Sequence, residues 1–73
     1  MSNRKKKQKI SISELIMKIL AKQPKSAEEI RAGIKDRFGY NVPLDDICVY
    51  LLRLLRRDEI QRKKVDKIYQ YHI

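Results

Sequence analysis

Between Ile47 and Tyr71 the chain changes its hydrophobic period, and that change limits what it can fold into. Ile47, Leu51 and Leu54 recur at i, i+4 and i+7, the mark of one buried helical stripe. A polar step through Arg56, Arg57, Asp58 and Glu59 leads to Ile60. Arg62-Lys63-Lys64 and Ile68 to Ile73 then read as two strands, with Val65-Asp66-Lys67 near the turn. At period two, Tyr69, Tyr71 and Ile73 share one face of the second strand. An amphipathic helix running into a lysine- and arginine-rich β-ribbon suggests a protein that lies against a polyanion.

Two further helices precede this stretch. Ser11 followed by Glu14 fits a capping box, in which each side chain satisfies the other residue's free backbone N–H. Ile12, Leu15, Ile16, Ile19 and Leu20 supply the apolar stripe behind it, and Gln23-Pro24 is expected to end that helix. Ser26 with Glu29 repeats the signature and opens a second helix, whose buried side is marked by Ala27, Ile30, Ile34 and Phe38. Gly39 is the expected left-handed end of that helix. Tyr40-Asn41-Val42 reads as a tight turn, and Pro43 as the first residue of a third helix running to about Arg57. Asp45 and Asp46 suit the first turn of that helix, and Arg53, Arg56 and Arg57 suit its last.

At 73 residues the chain holds one domain at most. A domain of this size buries only about 60% of its unfolded surface, so its core is thin and a partner subunit would help it. The net charge of +9 is unevenly placed. Residues 1–9 carry Arg4, Lys5, Lys6, Lys7 and Lys9 with no acid, for +5. Residues 10–52 hold six basic and six acidic side chains, and residues 53–73 hold seven basic and three acidic, for +4. A neutral middle between two basic ends is what a phosphate-backbone binder needs, because each neutralised phosphate releases condensed counterions. Residues 1–9 are expected to form a disordered basic tail, either a DNA-tracking arm or a solubilising extension, with the domain at residues 10–73.

Cys48 is the single cysteine, so a disulfide framework or a cysteine-based zinc site within one chain is ruled out, and a reduced thiol in a cytoplasmic protein is expected. The basic start is followed by Ser11 and Ser13 rather than an apolar run, so no signal peptide is expected. The apolar-rich stretch Ile10 to Ala21 is too short for a membrane span and contains Glu14 and Lys18. His72, the one histidine, has no second ligand or nucleophile beside it in sequence. Glu28-Glu29 and Asp45-Asp46 sit at helix starts, where capping and the helix dipole explain them. No enzyme, no cofactor and no metal site is expected.

Three features in order carry a resemblance to the winged helix-turn-helix family: Ser26-Ala27-Glu28-Glu29-Ile30, which looks like the start of the family's second helix; Ile47-x3-Leu51-x2-Leu54-x5-Ile60, which matches the spacing from recognition helix into the first wing strand; and Ile68-Tyr69-Gln70-Tyr71, which looks like the return strand. The resemblance covers Ile12 to Ile73 and is nearest to small stand-alone regulators of archaea and their viruses. It implies an α+β, mainly α fold, a three-helix winged helix-turn-helix with a C-terminal β-hairpin wing. It also implies that the third helix enters the major groove of DNA, with Leu44, Asp45, Asp46, Val49, Tyr50 and Arg53 facing the groove. The family's usual glycine before the first wing strand is Asp58 here, a residue that tolerates the left-handed conformation better than most.

The expected function is therefore sequence-specific binding of double-stranded DNA by a homodimeric transcription regulator in the cytoplasm, nucleoid-associated or in a host cell. The wing residues Arg62, Lys63, Lys64 and Lys67, the helix start at Ser26 and the tail residues Arg4, Lys5, Lys6 and Lys7 would hold phosphates, while Tyr50 and Arg53 would read bases. Against this stands the third helix itself, apolar almost all round through Leu44, Ile47, Cys48, Val49, Tyr50, Leu51, Leu52, Leu54 and Leu55. That composition supports an alternative: a non-catalytic protein-interaction module docking a partner through the third helix. RNA binding is a third possibility.

Overall fold

A computed structural model of the chain describes residues 11–73. The tail expected at residues 1–9, with Arg4, Lys5, Lys6 and Lys7, lies outside the described residues. In chain order the elements are α1 (Ile12–Leu20), β1 (Lys25–Ser26), α2 (Ala27–Phe38), α3 (Leu44–Arg56), β2 (Gln61–Val65) and β3 (Ile68–His72). This is an α+β, mainly helical fold: a three-helix winged helix-turn-helix whose wing is the β2–β3 hairpin.

Both capping boxes form. At α1 the Glu14 backbone N–H donates to Ser11 Oγ over 3.2 Å, and the Ser11 N–H donates to Glu14 Oε1 over 3.3 Å. At α2 the matching distances are 3.2 Å from Glu29 N to Ser26 Oγ and 2.9 Å from Ser26 N to Glu29 Oε1. A serine cap of this kind stabilises a helix by about 1 kcal/mol. Gly39, at φ 77°, ends α2 and donates its N–H to the Lys35 carbonyl over 3.0 Å.

The end of α3 is a Schellman motif. Asp58 sits at φ 59° and donates to the Leu55 carbonyl over 3.1 Å, while Glu59 donates to the Leu54 carbonyl over 3.0 Å. These two bonds satisfy carbonyls that the helix leaves open and turn the chain toward β2. Aspartate tolerates this left-handed position better than most residues.

Two helix boundaries and one strand differ from what is expected. α1 ends at Leu20 rather than at Gln23-Pro24. The chain leaves the helix early because Lys25 and Ser26 are drawn into β1, whose existence the sequence did not indicate. Pro43 is the N-cap of α3 rather than its first helical residue, with φ −60° and ψ 147°. Its carbonyl accepts from Asp46 and Ile47. Proline has no side chain to cap the remaining N–H groups, so the carboxylates of Asp45 and Asp46 complement the helix dipole there.

The sheet is antiparallel, in the order β1-β3-β2. Leu15, Ile16, Ile19 and Leu20 of α1, Ile30 and Ile34 of α2, and Ile47, Leu51 and Leu54 of α3 meet in one core. Val42, Ile60 and Tyr71 close it from the turn and the sheet. Each of these aliphatic side chains, once fully buried, contributes about 1.5–3 kcal/mol. Gly33 lets α1 lie close to α2: a Cβ there would stand 2.7 Å from Ile19 Cδ1. Of the three residues expected to share a face of β3, only Tyr71 is buried; Tyr69 and Ile73 are exposed.

Candidate nucleic-acid interface

Beyond its short pairing with β1, β3 pairs only with β2, and every residue of β2 is exposed. The wing closes between Val65 and Ile68, which pair across the hairpin. The two loop residues, Asp66 at φ 50° and Lys67 at φ 71°, both have positive φ, the signature of a type I′ turn. Aspartate accepts such a conformation readily; lysine does so only at a cost.

Register sorts the wing cations onto two faces. Residues directly opposite in an antiparallel pair point to the same side. Arg62 is paired with Tyr71 and Lys64 with Tyr69, so both cations lie on the side of the sheet that covers the core. Lys63 is paired with Gln70 on the outer side, together with Val65 and Ile68. The Arg62 guanidinium stands 4.3 Å from the centre of the Tyr69 ring, and Lys64 Nζ stands 5.8 Å from it. One exposed tyrosine thus gathers two cations, and its electron-rich face offsets their mutual repulsion. Among the described residues the one salt bridge joins Arg57 to Glu59, at 3.1 Å. Arg62, Lys63, Lys64 and Lys67 are therefore uncompensated by any acid within bridging distance there.

The positions proposed to read bases are less well placed. Tyr50 is half-buried against the core, and the Arg53 guanidinium lies 5.7 Å from its ring centre. Leu44 is also half-buried and lines an apolar cleft with Ala27, Ile68, Tyr69 and Tyr71, where α3 meets β3. At about 3.6 residues per turn, Arg53 lies roughly half a turn around α3 from Leu44. Arg53 and the wing therefore flank opposite sides of the helix. Asp45, Asp46 and Val49 are exposed.

Ser26 is engaged twice, as the cap of α2 and as a partner of Gln70 in the sheet. Its hydroxyl oxygen already accepts a hydrogen bond, and the exposed carboxylates of Glu28 and Glu29 crowd the same helix start. That end of α2 is a poor seat for a phosphate.

One basic feature is not evident from the sequence. Arg31 and Lys35, one turn apart on the exposed side of α2, border a hollow with Tyr40, Asn41, Val42 and Pro43. Their i, i+4 spacing was visible, but the balance of charge across residues 10–52 concealed it. Tyr69 is expected on one face of its strand with Tyr71 and Ile73; the register and the contacts of its ring place it among the wing cations.

Among the described residues no group of three His, Cys, Asp or Glu side chains is placed to hold a metal ion. No helix there is long and apolar enough to cross a membrane. No protein-family model, curated protein or solved structure matches the chain.

Proposed function

We propose that this chain binds double-stranded DNA and acts as a transcription regulator, in the form of a homodimer. The observation that supports this most strongly is the wing: four cations on a hairpin whose first strand and turn are exposed throughout, with no acid paired to any of them among the described residues. A wing of this shape suits the phosphate backbone or a minor groove, and Arg62, Lys64 and Tyr69 form its most organised part. Arg31 and Lys35 extend the basic surface beside the turn into α3. Arg53 is the one exposed candidate base reader, with Tyr50 bracing it. The working site is the cytoplasm, on the nucleoid or on viral DNA within a host.

Replacing Arg62, Lys63 and Lys64 together with alanine tests this reading. Binding to every duplex should weaken, and the slope of log affinity against log salt should flatten by about 0.9 for each phosphate contact removed. An unchanged slope removes the wing from the interface. A second reading, protein docking through α3, is favoured by Val49 and Leu52, two apolar side chains left exposed on that helix. Failure of the isolated chain to bind any duplex at low salt would select it.

A further inference from the structure

α3 has a second apolar stripe that the fold does not use. Ile47, Leu51 and Leu54 point into the core. On the opposite side Asp45, Val49, Leu52 and Arg56 are all exposed, Val49 by 46% and Leu52 by 49%. These four recur at i, i+4, i+7 and i+11, the seam spacing of two paired helices. The stripe has an acid at its first position, two aliphatic side chains in its middle and a base at its last.

That order is complementary to its own reverse. When two copies of α3 lie antiparallel about a two-fold axis, Val49 meets Leu52 of the second copy and Asp45 meets Arg56, and each contact occurs twice. A parallel arrangement would set Asp45 against Asp45 and Arg56 against Arg56. The charges therefore select both the occupant and its direction. An isologous two-fold contact of this kind is the commonest form of association between identical chains.

We infer that the outward stripe of α3 is the face through which two copies of this chain pair, antiparallel. This rests on the homodimer in the proposed function and names its surface. It also changes one assignment there: with α3 held against a second α3, Arg53 is withdrawn from the groove and the duplex is left to the wings, which contribute no residue to the stripe. Cys48 lies beside the stripe rather than on it, so the pairing makes no use of a disulfide. A single helix pair with two aliphatic side chains per copy is a small interface, and the dimer is expected to dissociate readily on dilution.

Sedimentation velocity on the full chain, without DNA, tests the pairing separately from DNA binding. The unaltered chain should pass from monomer to dimer as its concentration rises. Asp45→Arg alone and Arg56→Asp alone should each raise the dissociation constant by about tenfold or more, since either places like charges together at both ends. Mixing these two variants should restore the dimer. Each substituted side chain then faces the other across one end of the helix pair, with opposite charges, and the unaltered Asp45 and Arg56 face each other across the second end. Circular dichroism confirms that each variant is folded. As an independent measure, a Cys48→Ser chain with Val49→Cys should form a disulfide with a Cys48→Ser chain carrying Leu52→Cys faster than either does alone. A chain that stays monomeric at all concentrations, a dimer indifferent to both charge reversals, or a mixture that does not re-pair would each overturn the inference. If the dimer fails while wing variants still alter duplex binding, the DNA reading stands without it.

Discussion

The guanidinium of Arg62 stands 4.3 Å from the centre of the Tyr69 ring, across the diagonal of the wing hairpin. Lys64, the direct cross-strand partner of Tyr69, comes within 5.8 Å of the same ring. The tyrosine holds together two cations that would otherwise push apart, and it does so on the part of the molecule best suited to meet phosphate.

Tyr69→Phe should leave this arrangement intact, because the ring face and not the hydroxyl attracts the cations. Tyr69→Ala should loosen the hairpin by about 0.5–1 kcal/mol, the worth of an exposed cation–π contact. Amide hydrogen exchange across β2 and β3 would show the loss, and duplex affinity should fall on all sequences alike. Equal behaviour of the two variants would mean that the ring does not organise the cations.

Lys67 occupies the second loop position of the type I′ turn at φ 71°. Lys67→Gly relieves a left-handed conformation that costs a side-chain-bearing residue about 1–2 kcal/mol. Part of that gain is lost because glycine is freer in the unfolded chain, by about 0.5–1 kcal/mol. A net stabilisation of roughly 0.5 kcal/mol should appear in urea denaturation. The same change removes a wing cation, so duplex binding should weaken while stability rises. A variant that is both more stable and tighter-binding would exclude Lys67 from phosphate contact.

Gly39 offers a clean measure of backbone strain. It stands at φ 77°, and an added Cβ would meet no atom within 4 Å. Gly39→Ala should therefore destabilise the domain by about 1 kcal/mol through conformation alone. Chemical denaturation would read this directly, and an unchanged midpoint would mean that the chain relaxes out of the left-handed region.

Leu51 and Leu52 are neighbours in sequence with opposite surroundings, 1% and 49% exposed. Leu51→Ala should cost about 2–5 kcal/mol, enough to unfold much of so small a domain at room temperature. Leu52→Ala, measured on dilute monomer, should change stability by less than about 0.5 kcal/mol. Thermal melts at low and high concentration would separate the two effects, since loss of Leu52 should matter only where copies pair.

Much of the fold was legible because its signals are local. A serine three residues ahead of a glutamate specifies a helix start whatever surrounds it, and both boxes formed at Ser11 and Ser26. Gly39 and Asp58 at helix ends, the helical recurrence of Ile47, Leu51 and Leu54, and the turn at Asp66-Lys67 were likewise written in adjacent residues. Other features depend on what stands opposite. Lys25 and Ser26 are too few to carry a period, and they form a strand only because β3 presents a free edge. Pro43 fits equally well before a helix or at its first position, and the path of the chain from Val42 decided between them. The division of the wing cations between two faces follows from register. The sequence of α3 shows apolar residues on nearly every side. Only packing against α1 and α2 determines that Ile47, Leu51 and Leu54 are covered while Val49 and Leu52 are left to solvent, because a helix in a three-helix domain can turn only part of its circumference to the core.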